Sequence, residues 1–423
     1  MQIGLGIVII AAMIYLMIKR YETKMVLFGA GMLMLIIAGD PMGAFVSFSK
    51  SMKQNNIFEV IIAAMGFAAV VQATGCDKHL IAVFIKILKR MGPFLIVGVA
   101  LATTVVNSSI PSAAGVSAAL GSILIPLLIS SGIPAPIAAA AVMAGLYGGN
   151  LDPGHVHPTL VAELAGKSSV EFVKTVAAPL LSSVLASSFT LIFIAFWLKR
   201  RNGNAPVTAG LVAIEGMPEN FKANYILAIL PLLPLIILLL GNFKIVPQLK
   251  MPVSHAMMIG SLTALILTRS NPGRVTKAFF KGMGDSFGDI FGLIVAVNVF
   301  VAGMTKLGLI KTLLNFMISS PAIAKVAAVF GPFAMAILSG SGEAAAIAFN
   351  TAVSAHAEQF GMDVMHMGAM TVLSGGIGRS MSPVAGAMII CAGIAKVTPF
   401  DVVKYNAPAM LAALFVAALF LML

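Results

Sequence analysis

Long apolar stretches, divided by short clusters of glycine, proline and charge, recur along the chain from Ile3 to Leu423. A helix needs about 20 apolar residues to cross the hydrocarbon core of a bilayer. The pattern predicts membrane helices over about 3–18, 25–40, 57–74, 134–164, 177–198, 224–240, 252–268, 288–304, 366–395 and 404–423, ten crossings in all. Between the third and the fourth, Lys78, Lys86, Lys89 and Arg90 alternate with Leu80, Ile81, Phe84, Ile85 and Leu88. That is the pattern of an amphipathic helix lying in the interface, and Gly92-Pro93 ends it. No stretch of more than about 25 residues reads as a soluble domain, so the expected fold is all-α, polytopic and a single transmembrane unit.

Two further apolar stretches carry a polar turn at their centre. Asn107-Ser108-Ser109-Ile110-Pro111-Ser112 interrupts residues 92–131, and Ser339-Gly340-Ser341-Gly342-Glu343 interrupts residues 321–357. Hydrocarbon offers no water to open N–H and C=O groups, so irregular backbone at that depth belongs where protein or a wet cavity surrounds it. Each stretch is expected to form a re-entrant hairpin. Two long helices carry their own interruptions, Gly148-Gly149-Asn150-Leu151-Asp152-Pro153-Gly154-His155-Val156-His157-Pro158 and Gly375-Gly376-Ile377-Gly378-Arg379-Ser380-Met381-Ser382-Pro383. Paired glycines followed by proline predict a helix broken into halves.

The chain also repeats itself. Gly29, Lys50 and Thr74 recur 231 residues later as Gly260, Lys281 and Thr305. Gly92-Pro93-Phe94 recurs as Gly331-Pro332-Phe333, Gly148-Gly149 as Gly375-Gly376, and Ala178-Pro179 as Ala407-Pro408. Two repeats are therefore expected, residues 1–200 and 224–423, joined by a cytoplasmic linker over 201–223. Five crossings and one hairpin per repeat would set the halves in opposite orientations, as in many secondary transporters. With the N-terminus outside, cytoplasmic segments hold seventeen Lys and Arg against nine outside, which favours N-out and C-out.

Composition narrows the class. Hydrophobic residues make up 59% of the chain and charged residues 10%, against about 25% charged in soluble domains. The net charge of +12 resides in loop clusters such as Lys19-Arg20, Lys89-Arg90 and Lys199-Arg200-Arg201, where topology puts it, and nucleic acid is not an expected partner. Met1-Gln2-Ile3-Gly4 carries no basic leader, so the first apolar run reads as a retained helix. Cys76 and Cys391 stand apart and offer neither a disulfide framework nor metal-ligand spacing.

The candidate chemistry lies at the four interruptions. Open N–H groups at half-helix ends attract carboxylates, and Ser and Asn side chains in the turns add hydrogen bonds. The substrate-binding set read from the pattern is Asn107, Ser108, Ser109, Ser112, Gly149, Asn150, Ser339, Gly340, Ser341, Gly342, Gly378, Arg379, Ser380 and Ser382. Asp152, His155, His157 and Glu343 are the candidate ion-coupling groups, because intramembrane carboxylates and histidines recur in proton pathways. Arg379 and Glu343 are read either as an ion pair or as a substrate contact beside a titrating acid. The His-x-His run lacks two further ligands of fitting type, so no metal is expected, and no enzyme activity.

At these residues the chain resembles the anaerobic C4-dicarboxylate carrier family of type C, within the ion transporter superfamily. The resemblance is carried by Gly66-Phe67-Ala68-Ala69, Thr74-Gly75-Cys76-Asp77, the Ser108-Ser109 turn, Ser339-Gly340-Ser341-Gly342, Gly378 to Gly386 and the Lys396 to Lys404 tail. It implies scaffold and transport domains, a homodimer, an elevator-like movement, residence in the bacterial inner membrane and a small carboxylate substrate. It also implies Na+ or H+ as coupling ion with no other cofactor. The turn reads Asn-Ser-Ser where sodium-dependent relatives have Ser-Asn-Thr, so sodium sites do not transfer by position. A carrier for amino acids or other small organic anions on the same fold is the alternative reading.

Overall fold

The computed structural model describes residues 2–19, 21–53, 55–88, 91–110, 112–202, 221–242, 245–318 and 321–422. The linker expected over 201–223 falls almost wholly outside the described residues, as do Pro111 of the first turn and the loop cations Arg20, Lys89, Arg90 and Lys244.

All described regular structure is helical. The first half runs α1 (Gln2–Ile18), α2 (Thr23–Ile37), α3 (Gly43–Ser51), α4 (Asn55–Thr74), α5 (Cys76–Leu88), α6 (Leu95–Ser109), α7 (Ala113–Ser130), α8 (Ala135–Met143), α9 (Val156–Leu164) and α10 (Ser169–Asn202). The second runs α11 (Tyr225–Ile229), α12 (Leu233–Asn242), α13 (Val253–Thr268), α14 (Pro272–Ser286), α15 (Gly292–Lys306), α16 (Leu309–Ile318), α17 (Pro321–Ser339), α18 (Gly342–Ala352), α19 (Val364–Met381), α20 (Gly386–Ala395) and α21 (Pro399–Met422). Every apolar segment expected from the sequence coincides with helix. By length and composition five of these helices can cross a membrane, or seven if each of two bent pairs is one span. The protein is thus a polytopic all-α membrane protein. Among the shorter apolar helices are Ile3–Met17, Thr23–Ile37 and Val253–Thr268, so part of the expected ten crossings rests on helices of only 10–17 residues.

The bends have a local cause. α4 meets α5 at 72° across Gly75, and α15 meets α16 at 78° across Gly308. Both glycines adopt positive φ, +75° and +77°, which side-chain-bearing residues rarely enter. α5 leaves its parent helix as the expected amphipathic piece, with Leu80, Ile81, Ile85 and Leu88 buried.

Packing is reciprocal between the halves. α4 lies on α13 and α14, as α15 lies on α2 and α3. α7 packs on α20 and α18 on α9, while α10 and α21 pack on each other. The largest apolar core is built from α6 to α10 together with α17 to α21, and holds alanines 138 to 141 and 144 at no exposure. Small residues of this kind let helix backbones approach closely in an apolar solvent.

The two helix breaks are not alike. The first chain segment leaves α8 after Met143, makes a short 3-10 turn over Gly148–Leu151 and re-enters helix at Val156. The second interruption, expected over Gly375 to Pro383, is narrower than its first half suggested: the helix runs unbroken to Met381 and breaks over residues 382–385. Gly375, Gly376 and Gly378 serve as contact surface in that helix: a Cβ would lie 2.7 Å from the Gly342 carbonyl, 2.8 Å from Tyr147 Cβ and 2.5 Å from the Phe333 carbonyl respectively. The Pro383 ring, not the glycine pair, stops the helix.

Candidate substrate site

The turn of the first hairpin closes on a side chain. Asn107 is buried, its Nδ2 donates to the Ile110 carbonyl at 3.1 Å, and its Oδ1 accepts from the Gly149 amide at 2.9 Å. One amide therefore holds the hairpin tip to the first helix break. Ser112 begins α7 as its N-cap, accepting from Gly115 N at 3.1 Å. The second hairpin uses the same device, with Ser341 Oγ accepting from Ala344 N at 3.2 Å at the start of α18, and Gly340 at φ +73° making the turn.

Between these tips lies a cavity of about 20 Å³. It is bounded by Asn107 from the first tip, Gly149, Asn150, His155 and His157 from the first break, Gly342 and Glu343 from the second tip, and Arg379 from α19. Arg379 Nη2 donates to the Leu146 carbonyl at 2.7 Å, and Nη1 stands 3.8 Å from Glu343 Oε1. Several polar atoms on this wall lack a hydrogen-bond partner: Asn150 Oδ1, Arg379 Nε, and the Nδ1 atoms of His155 and His157. The amide orientation of Asn150 follows from its other end, since Nδ2 donates to the Tyr147 carbonyl at 2.9 Å. The two imidazole rings are 5.2 Å apart. Buried polar atoms are costly when unpaired, and several converging on one cavity mark a place for a polar ligand. Room for a water requires about 10–15 Å³, so the cavity is water-sized.

A second cavity, about 10 Å³, lies on the other side of the first tip. Ser108, Ser109 and Asp152 face it against Phe67 of α4 and Met257 of α13. Both serine hydroxyls donate to the Val105 carbonyl, at 2.8 and 3.5 Å, and Asp152 Oδ1 accepts from Gly154 N at 2.9 Å. The polar run of the first break thus divides, with His155 and His157 on one cavity and Asp152 on the other.

The remaining expected site residues have structural partners. Ser339 Oγ donates to the Met335 carbonyl at 2.7 Å, Ser380 Oγ to the Gly376 carbonyl at 3.1 Å, and Ser382 Oγ to the Ile337 carbonyl at 2.6 Å. Ser380 and Gly378 lie in the last turn of α19, where carbonyls and not N–H groups are left open, so that end does not present the anion-binding amides expected there. Sequence reasoning did not single out Tyr147, fully buried beneath Gly376, or Asn406, whose Nδ2 donates to the Ser380 carbonyl at 2.6 Å. Asn406 is the one polar residue on the buried face of α21, which was a legible signal. No cluster of three or more metal-ligating side chains occurs among the described residues.

An uncharacterized transporter of Haemophilus influenzae is 36% identical over 284 residues, 64% of this chain and all of its own length. The anaerobic C4-dicarboxylate transporter of Escherichia coli K12 is 26% identical over 98% of this chain and 95% of its own, and the corresponding Vibrio cholerae protein is 28% identical over 96% and 94%. The YdaH transporter of Alcanivorax borkumensis shares the fold with a TM-score of 0.63 at 15% identity, over 89% of this chain and 87% of its own. The profile of the C4-dicarboxylate anaerobic carriers matches residues 1–423, end to end. The chain therefore belongs to the C4-dicarboxylate anaerobic carrier family, a family of transporters and not of enzymes.

Proposed function

We propose that the protein is a secondary active transporter that moves C4-dicarboxylates of the succinate, fumarate, malate or aspartate type across the bacterial cytoplasmic membrane by alternating access. The observation that carries this reading is the convergence of Arg379, His155, His157, Asn107 and Asn150 on one cavity between two hairpin tips. A guanidinium presents paired N–H groups that match a carboxylate, and neutral donors around it fix orientation. The substrate is held there by Arg379, Asn150 and the histidines, with Asn107, Gly149 and Gly342 supplying backbone and amide contacts. Ser108, Ser109 and Asp152 belong to the coupling-ion side of the same tip, which takes H+ or Na+, and Glu343, His155 and His157 are further carriers of protons.

The repeat offsets and the reciprocal packing support two inverted repeats, residues 1–200 and 224–423, about a linker over 201–223. In that arrangement α6–α7 and α17–α18 are the re-entrant hairpins, and they move with the broken helices as a transport domain against the scaffold of a homodimer, with both termini outside. Nucleic acid has no part in it.

Uptake of labelled succinate into proteoliposomes under separately imposed sodium and proton gradients tests the proposal. Saturable flux driven by one gradient supports it, and no flux from folded protein in sealed vesicles rejects it. A second reading, an amino-acid carrier, draws on one observation: the unpartnered Asn150 Oδ1 and the Glu343 carboxylate are acceptors that would suit a substrate ammonium. Competition by glutamate or by a monocarboxylic amino acid, far stronger than by succinate, would favour it.

A further inference from the structure

Arg379 is only half engaged. Its Nη2 is committed to the Leu146 carbonyl and its Nε is buried without a partner. The Glu343 carboxylate stands 3.8 Å from Nη1, outside hydrogen-bond reach, so the pair is ionic but not bidentate. A planar guanidinium bonds a carboxylate best through two parallel N–H···O contacts at about 2.7–2.9 Å.

The backbone accounts for the gap. Glu343 is the second residue of α18, and its neighbour Gly342 is pressed on α19, where a Cβ would come within 2.5 Å of the Gly375 carbonyl. The hairpin tip already touches α19, so Glu343 has no room to slide nearer as a unit. A free carboxylate has no such tether. Of the two charged side chains on the cavity, one is cationic and one anionic, and the titratable groups beside them are His155 and His157. Ionised Glu343 and Arg379 leave this site with no net formal charge, which does not favour an anionic solute. A carboxylate that enters meets Glu343 as a like charge on the same guanidinium.

We propose that Glu343 is a built-in competitor for the substrate's carboxylate: it occupies Arg379 in the empty carrier and is displaced, or protonated, when substrate takes the bidentate place. This rests on the dicarboxylate reading of the cavity and adds to it a residue that sets affinity. Opening of the second hairpin and release of Arg379 are then one event, because Glu343 rides on that hairpin. The empty carrier keeps its arginine neutralised, and the loaded one exchanges an internal carboxylate for an external one.

The test is equilibrium binding of labelled fumarate to the full-length protein, wild type, Glu343→Gln and Glu343→Asp, between about pH 6 and about pH 8, a range in which fumarate itself stays ionised. At the alkaline end Glu343→Gln should bind about tenfold more tightly than wild type, the size expected for removing one nearby like charge. Glu343→Asp, which keeps the negative charge, should bind as wild type does. Equal affinity of wild type and Glu343→Gln across the range overturns the proposal. If Glu343→Gln does not fold, Glu343→Ala carries the same comparison. If fumarate and aspartate bind none of the proteins but glutamate does, the C4-dicarboxylate reading falls and the competitor role is judged on that ligand by the same ratio. If no carboxylate binds folded wild type or variant, both fall.

Discussion

The Gly149 amide donates to Asn107 Oδ1 at 2.9 Å across 42 residues of sequence, and the same side chain holds the Ile110 carbonyl through Nδ2. Hairpin tip and helix break are therefore one unit. Asn107→Ala strands a buried N–H and a buried carbonyl, each costing about 1–3 kcal/mol when unmade. Thermal midpoint and succinate flux should both fall. A variant with normal stability and normal flux would show that the tip does not depend on this tie.

Arg379 should not tolerate lysine. Its fork reaches the Leu146 carbonyl and faces Glu343 at once, and an ammonium has no such planar pair of donors. Arg379→Lys is expected to leave folded protein by size exclusion while lowering substrate affinity by about tenfold or more. Loss of folded protein instead would make the arginine a structural tie between α19 and the first break.

Ser341 is a helix cap before it is anything else. Ser341→Ala removes the acceptor from Ala344 N and should cost about 1 kcal/mol of stability, whereas Ser341→Asp restores a cap. Transport that follows the cap, lost in Ala and regained in Asp, identifies the role as structural. Transport lost in both would place the hydroxyl on the substrate.

Glycine contacts set how closely the second hairpin seats. Gly342→Ala drives a Cβ to 2.5 Å from the Gly375 carbonyl, and the overpacking should cost about 1–3 kcal/mol and impair flux. Gly386→Ala, on the far side of the second break, meets nothing within 4 Å and serves as the neutral control. Equal flux in the two variants would remove the hairpin contact from the mechanism.

Outside the spans, Asp363 caps α19 by accepting from His366 N at 3.0 Å, and it pairs with Lys167 at 3.8 Å. Partial burial raises its pKa, but hydrogen bonds from the His366 side chain and backbone and the Lys167 charge outweigh it, so the net shift is downward. A depressed folded pKa means that its stabilisation is complete above the ordinary carboxylate range and is lost as pH falls through the folded value. Asp363→Ala should lower the thermal midpoint at neutral pH and flatten its acid limb. Wild type and variant with parallel midpoint-against-pH curves would rule out that contribution.

Hydrophobic periodicity alone located the helices, because in hydrocarbon a backbone must satisfy its own hydrogen bonds and only helix does so segment by segment. The polar turns after α6 and α17 and the first helix break were legible for the same reason: proline, glycine and polar residues have few uses at membrane depth. What the linear pattern did not carry is which polar group faces which. Gly375-Gly376 opens the stretch that reads as a break, yet the chain continues as helix through both, and their lack of side chains lets Tyr147 and the Gly342 backbone pack against them. Asp152 and His155 are three residues apart but line different cavities, because the chain makes a turn through Pro153 and Gly154, closed by the His155 amide donating to the Asp152 carbonyl at 3.0 Å. An Arg379–Glu343 pair was one of two readings the sequence offered, and its 3.8 Å separation was decided by how α18 seats on α19 through Gly342 and Gly375. Local propensity and solvent decided the elements, and close packing between distant segments decided the site.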